Sequence, residues 1–182
     1  MHYDPGQVYQ PEADTYLLLD AARLEVRPGD RVLEVGTGSG CIARELAKVT
    51  STVATDINPH AARCAHSAGI DVVRCNLVDP IRGMFDLVIF NPPYLPTEPH
   101  ERIDDWLEYA LDGGETGRET IERFAAGVPR VLGPGGRILL LISSLTGPEN
   151  VDTLFASAGF TSEIIRRENV EDEILYVLRI HQ

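Results

Sequence analysis

The sequence is short of several things, and each absence narrows the reading. It has 3 cysteines, Cys41, Cys64 and Cys75, an odd number with no CxxC spacing. That argues against a disulfide framework and a cysteine-rich zinc site, and for a reducing, cytoplasmic setting. The 5 histidines are scattered, and Cys64-Ala65-His66 is the one metal-like pairing. Two ligands do not make a site, so no metal is expected. No apolar run approaches the roughly 20 residues of a membrane span. Residues Met1 to Gln10 carry no basic cluster followed by an apolar stretch, so no signal peptide is expected. Positive charge is also scarce: 16 Lys+Arg stand against 28 Asp+Glu, a net charge of −12. Such a balance argues against a protein that grips phosphate backbones unaided, though not against one that does so with a basic partner.

What is present fits an ordinary globular chain. Of the 182 residues, 43% are hydrophobic and 24% charged, enough for one domain with a real core. Strand-like and helix-like stretches alternate. Strands are expected at Arg31–Val35, Thr52–Asp56, Asp71–Arg74, Phe85–Phe90, Arg137–Ile142, Phe160–Arg166 and Glu173–Ile180. Helices are expected at Asp14–Arg23, at Cys41–Val49 with Ile42, Leu46 and Val49 on one face, and from Pro59 to about Ala68. Further helices are expected at Arg118–Leu132, stopped by Gly133-Pro134-Gly135-Gly136, and at Pro148–Ser157. A long loop, 92–117, separates the fourth strand from the fourth of these helices, and long loops in compact domains are often functional. Repeated strand–helix units imply a mostly parallel sheet covered on both faces. The last two strands are too close for a crossover helix, so they should form an antiparallel pair at one edge.

The loop Glu34-Val35-Gly36-Thr37-Gly38-Ser39-Gly40 lies between a strand and a helix, and its glycines permit a tight turn against a ligand. Asp56 ends the next strand, about twenty residues on, where a carboxylate accepts hydrogen bonds from ribose hydroxyls. Dinucleotide enzymes share this layout. Here, however, Cys41 stands where GxGxxG places its last glycine, and Glu34 precedes the loop. A carboxylate there repels pyrophosphate, but it can hold the loop or meet a cationic ligand such as S-adenosylmethionine. The pattern resembles the cofactor motifs of class I methyltransferases. That resemblance implies a Rossmann-like three-layer α/β sandwich with a seven-stranded sheet. It also implies cofactor contacts from Glu34, Gly36, Thr37, Gly38, Gly40, Asp56 and the adjoining Ile57. Asn76, with Leu77, occupies the place that contacts adenine, where most relatives carry Asp; a simple loop asparagine is the other reading.

Asn91-Pro92-Pro93-Tyr94 ends the fourth strand, which in a doubly wound sheet neighbours the first across the ligand-binding crevice. Methylating a planar nitrogen is difficult because its lone pair is delocalised. Two acceptors that hold its N–H groups favour a more pyramidal nitrogen without a strong base. The Asn91 side-chain oxygen and the Pro92 carbonyl can be those acceptors, Pro92 and Pro93 stiffen the backbone, and Tyr94 can stack on the flat group. Asn91 would also border the cofactor's methyl. Standing alone, Asn-Pro-Pro is equally a turn.

With these motifs in place, the chain resembles the HemK family of glutamine methyltransferases, which modify the GGQ glutamine of peptide-chain release factors. It is most similar to the compact archaeal and eukaryotic branch. Val8-Tyr9-Gln10-Pro11-Glu12-Ala13-Asp14-Thr15 resembles that branch's VYEPAEDT, with Gln10, Glu12 and Ala13 departing from it. Leu17 to Ala21 and Ala110-Leu111-Asp112-Gly113-Gly114 continue the match, the last reading as a turn. The resemblance places Thr15 beside the cofactor. It implies a single domain over 1–182, with a helical segment 1–27 and a core 28–182, lacking the extra N-terminal domain of bacterial members. It also implies a small zinc-containing activator subunit. The strand 70–74 would be a sheet edge, and its apolar Ile70, Val72 and Val73 invite strand addition by such a partner. The same chemistry suits the exocyclic amine of adenine in DNA or RNA. The acidic charge and the lack of a recognition domain weigh against that substrate and against direct nucleic-acid binding. A non-catalytic scaffold and a small-molecule methyltransferase are the remaining alternatives.

Overall fold

The computed structural model describes residues 2–98, 100, 102 and 105–182; positions 99, 101, 103 and 104 of the 92–117 loop lie outside the described residues. The elements run α1 (Ala13–Glu25), β1 (Arg31–Val35), α2 (Cys41–Leu46), β2 (Ser51–Asp56), α3 (Pro59–Ser67), β3 (Asp71–Arg74) and β4 (Phe85–Phe90). They continue with α4 (Glu119–Gly127), β5 (Leu132–Ser143), α5 (Pro148–Ser157), β6 (Thr161–Val170) and β7 (Glu173–His181). The seven strands form one sheet in the order β3-β2-β1-β4-β5-β7-β6. The first five are mutually parallel, and β7 runs antiparallel between β5 and β6. The expected mostly parallel sheet with an antiparallel finish is therefore what the chain adopts. Among the described residues no helix is long and apolar enough to cross a membrane.

Alternation along the central strands sorts their side chains onto two cores. Leu33, Val35, Val88, Phe90, Ile138 and Leu140 point to one face and pack with Ile121, Phe124 and Phe155 from α4 and α5. The Phe90 and Phe124 rings lie 4.8 Å apart at a tilt of 51°. Val32, Leu87, Ile89, Leu139 and Leu141 point to the other face and meet Leu17, Leu18 and Ala21 of α1 and Ile42 and Leu46 of α2. Both faces are thus covered, which leaves the carboxyl ends of β1, β2 and β4 as the place where a ligand can reach the sheet.

Several boundaries differ from the sequence expectation. The helix expected over 41–49 stops at Leu46, and Val49, expected on its buried face, is exposed. The chain is drawn early into β2 because the Thr50 hydroxyl donates to the Asp30 carbonyl. The helix expected over 118–132 ends at Gly127 and tightens into a 3-10 turn at Val128–Arg130, as Pro129 has no N–H to continue it. The Gly133 to Gly136 stretch is not a helix stop. It lies inside β5 as an irregularity, where the register with β4 shifts between Phe85 and Leu87. Ile70, expected on an exposed edge, is buried against Ala43, Ala54 and Ala65 and precedes β3 rather than belonging to it.

One buried cation ties α1 to the sheet. Arg137, only 4% exposed on β5, donates to Asp30 Oδ2 at 2.7 Å, to the Asp86 carbonyl at 3.0 Å and to the Glu25 carbonyl. Truncating one partner of such a buried pair leaves the opposite charge desolvated. Arg137→Ala should therefore lower the unfolding free energy by about 3–5 kcal/mol in a urea titration. A loss under about 1 kcal/mol would show that the cluster does not hold α1 in place.

Candidate active site

The loop from β1 to α2 is held by two buried carboxylates. Glu34 Oε2 accepts from the Thr37 hydroxyl and, at 3.0 Å, from the Ala43 N–H, so it braces the loop and the first turn of α2 together. Burial pushes its carboxyl up to about 8, against the pull of those two donors. Asp56, at the end of β2, accepts from the Gly38 N–H at 2.8 Å on one oxygen and from the Asn58 N–H at 2.9 Å on the other. Burial raises this acid too, and the backbone donors oppose the rise. The carboxylate was expected to accept hydrogen bonds from ribose hydroxyls; each oxygen already holds one backbone donor and has lone-pair capacity for another. Gly38 has φ +54, a left-handed conformation that turns its N–H onto Asp56. Gly40 also has positive φ, and a Cβ there would lie 3.2 Å from the Cα and Cβ of Ala65. It serves helix–loop packing and, alone among the expected cofactor residues, does not line the cavity.

That cavity has a volume of about 1190 Å³ and opens at the carboxyl ends of β1, β2 and β4. Thr15, Glu34, Gly36, Thr37, Gly38, Asp56, Ile57, Asn76 and Leu77 line it together with Asn91, Pro92, Pro93 and Tyr94. It is larger than most single-ligand pockets, which suits a cofactor and a substrate side chain side by side. Leu77 sits at φ +49, an uncommon backbone conformation for leucine, directly on the cavity wall. Gly113 and Gly114 form a close-packed turn at its rim: a Cβ on Gly113 would lie 2.8 Å from Gly117 Cα, and the Gly114 N–H donates to Asp112 Oδ1 at 2.7 Å.

Four further residues, Tyr9, Asp14, Asn58 and Trp106, line the cavity, and the sequence analysis gave them no individual role there. Asp14, 5% exposed in the first turn of α1, accepts from Asn91 Nδ2 at 2.9 Å, from the Tyr9 hydroxyl at 3.1 Å and from the Thr15 N–H at 2.5 Å. Asn58 caps α3 through its side-chain oxygen, which accepts from the His60 N–H at 2.8 Å. Its Nδ2 donates to the Gln7 and Trp106 carbonyls, and the Trp106 N–H donates to Gln7 Oε1 at 2.9 Å. The N-terminal segment and the 105–112 stretch thereby meet over Asn58. An Asn before Pro59 is a helix-cap signal in the sequence, but nothing there shows its second, bridging use. Asn91 Oδ1 is buried, and among the described residues it has no hydrogen-bond partner. Burial, reinforced by the negative charge of Asp14, Glu173 and Glu12, raises the Tyr94 hydroxyl well above its usual range. Tyr94 is therefore neutral at physiological pH.

Residues 10–104 match the Methyltransferase small domain family. The chain is 39% identical to the putative protein N5-glutamine methyltransferase of Methanocaldococcus jannaschii, over 94% of this chain and 90% of that one. The chain belongs to the HemK family of methyltransferases. Methyltransferase HEMK2 of Homo sapiens is 35% identical over 96% of this chain and 89% of its own length. The methyltransferase structure of the E. cuniculi Mtq2–Trm112 complex, described as responsible for methylating the translation termination factor eRF1, superposes with a TM-score of 0.82. That match has 30% identity and covers 97% of this chain and 99% of the other. This HemK-family chain is thus an S-adenosylmethionine-dependent methyltransferase.

The raised Glu34 acid has a consequence for stability. The folded chain keeps Glu34 protonated up to about 8, while the unfolded carboxyl ionises near the usual 4.5. Unfolding between those values releases a proton, so Glu34 makes the protein less stable as pH rises through the window. Glu34→Gln removes this dependence. From about pH 5.5 to 7.5, the stability difference between variant and wild type should shift in the variant's favour by about 1–3 kcal/mol in urea titrations. A pH-independent difference would mean that the folded carboxylate is ionised throughout.

Proposed function

We propose that this chain transfers a methyl group from S-adenosylmethionine to the side-chain amide nitrogen of the GGQ glutamine of a peptide-chain release factor, in the cytoplasm. The observation that carries the reading is the buried, unpartnered Asn91 Oδ1 on the cavity wall. A buried acceptor without a partner is costly, and an incoming N–H group satisfies it. The neighbouring relative from M. jannaschii is named for glutamine N5 chemistry, and the E. cuniculi complex for methylation of a termination factor.

The lining fits the cofactor. Pyrophosphate calls for positive charge at the glycine loop, and Glu34 and Asp56 supply none: Glu34 braces the loop, and Asp56 keeps lone-pair capacity for ribose hydroxyls. Asp56, Ile57, Asn76 and Leu77 would hold its nucleoside, and Thr15, Glu34, Gly36, Thr37 and Gly38 its amino-acid end, with Asn91 bordering the methyl from the substrate side. When bound, the cofactor supplies an electrophilic methyl: the nitrogen pair forms the N–C bond as the S–C bond breaks, sulfur keeps that pair, and the surplus nitrogen proton leaves to water. Asn91 Oδ1 and the Pro92 carbonyl accept the two amide N–H groups and turn the nitrogen pair towards the methyl. Tyr94, neutral, covers the flat face of the amide. Most of the acceleration comes from orientation and from acceptors set where positive charge develops on nitrogen.

A small zinc-containing activator subunit is the partner we assign to the β3 edge; the E. cuniculi relative is complexed with Trm112. Cys75 donates its N–H to the Asp56 carbonyl. By alternation Val72 and Arg74 turn their N–H and C=O groups away from β2, ready to pair with an added strand. Val73 on this strand is 40% exposed.

Mass spectrometry after incubation with labelled cofactor and release factor, with and without the activator, should find one added methyl on the GGQ glutamine. Methyl on adenine in DNA or RNA, and none on the factor, would reverse the substrate assignment. Asn91→Ala should lower kcat by about 10²–10³-fold while cofactor affinity changes little. Loss of cofactor binding would move Asn91 from the substrate side to the cofactor side. Val72→Lys should abolish co-purification with the activator; unchanged association would remove the β3 edge from the interface.

A further inference from the structure

We infer that Asp14 is a positioning residue: it fixes which end of the Asn91 carboxamide faces the cavity, and so makes the site an acceptor for N–H groups. This rests on the proposed amide-nitrogen reading of the site.

The argument starts from donors. Four converge on one carboxylate that is 5% exposed. Oδ1 accepts from the Thr15 N–H at 2.5 Å and from the Thr15 hydroxyl at 3.2 Å. Oδ2 accepts from the Tyr9 hydroxyl at 3.1 Å and from Asn91 Nδ2 at 2.9 Å. An ionised carboxylate is the side chain that offers acceptors at both ends and no donor. With its NH₂ engaged on Asp14, the Asn91 amide has one way to point, and its oxygen is the free, buried atom on the cavity wall.

Turning the amide over would place two donors against the incoming substrate N–H and an oxygen against a carboxylate. Both are repulsive, so the carboxylate holds one of two near-isosteric states. Asparagine at position 14 loses this control. Its own NH₂ must face either the two Thr15 donors or the Tyr9 and Asn91 donors. In the second arrangement the Asn91 amide is free to rotate its oxygen towards position 14 and away from the substrate. Tyr9 adds a mechanical link. Its hydroxyl is on Asp14, and its backbone carbonyl would be 3.7 Å from a Cβ on Gly38. The Tyr9 backbone thus lies against the glycine loop while its hydroxyl meets the residue that orients Asn91.

Two measurements test the inference. The first uses the protein without cofactor or substrate and follows the ¹⁵N-labelled side-chain amide of Asn91, assigned by its loss in Asn91→Ala. Asp14→Asn should move both amide proton resonances and speed their exchange by about tenfold or more, as a charge-assisted bond is lost. Unchanged resonances would overturn the inference. The second is kinetic. Asp14→Asn should lower kcat by about 10²-fold with KM for the release factor within about threefold. In the Asn91→Ala background the same change should cost less than about threefold, because the residue acts through Asn91. The reciprocal pair, Asp14→Asn with Asn91→Asp, should recover about tenfold over Asn91→Asp alone, since donor and carboxylate have exchanged places. An equal loss in both backgrounds would show that Asp14 acts independently of Asn91 and overturn the assignment. Should wild type transfer no methyl to the factor, the substrate reading fails, and the resonance measurement still decides the orientation. Should Asp14→Asn not fold, Tyr9→Phe removes one donor from Oδ2 and must shift the Asn91 resonances; no shift overturns the inference.

Discussion

A carboxylate buried at the joint between α1 and the end of β4 is the constraint around which the site is arranged. Asp14 can reach Asn91 because α1 lies across the sheet, with Leu17, Leu18 and Ala21 packed on Val32, Leu87, Ile89 and Leu139. Arg137 holds the far end of the same helix. The N-terminal segment, which precedes the glycine loop in sequence, is therefore part of the active-site wall. Its position depends on the core and on one cation roughly a helix length away from the chemistry.

The charges inside follow a common logic. Glu34 and Asp56 are buried acids whose donors are mostly backbone N–H groups, from the glycine loop at Gly38, from α2 at Ala43 and from the start of α3 at Asn58. Asp14 is satisfied by donors from three side chains and one backbone group. Each acid therefore orders a neighbour, and the acidity that looked like simple solubility in the composition is partly structural. A loop fixed in this way needs no ligand to define it, which lowers the ordering entropy that a bound cofactor must offset.

Much of this was legible in the sequence, for identifiable reasons. Near-continuous apolar runs such as 85–90 and 137–142 mark strands buried on both faces, and the short spacing between the last two strands forces an antiparallel pair. The Gly-rich turn with Glu34 and Asp56, and Asn91-Pro-Pro-Tyr94, gave the two halves of the site. The misreadings came where tertiary packing overrides local pattern. Val49 keeps helical spacing yet lies beyond the helix, because Thr50 is pulled onto Asp30. Gly133 to Gly136 has the composition of a stop, but it lies inside β5, and β4 pairs on either side of it, with Leu132 and then Arg137. Asp14 was the harder case. A lone acid in an amphipathic first turn looks like a dipole-favoured surface residue, and its burial arises only when the end of β4 is brought alongside.

The placement of β7 between β5 and β6 has a kinetic meaning. β7 follows β6 in the chain but occupies the inner position, so β6 reaches the sheet only through its hairpin with β7. Until that hairpin docks, β5 is an open edge carrying Leu139, Leu140, Leu141 and Ile142, all fully buried in the finished fold. Pairings over such separations form late and leave apolar edges open while they are pending. A lesion in the 161–181 hairpin, far from the cavity, thus acts first on self-association of incompletely folded chains and only afterwards on catalysis.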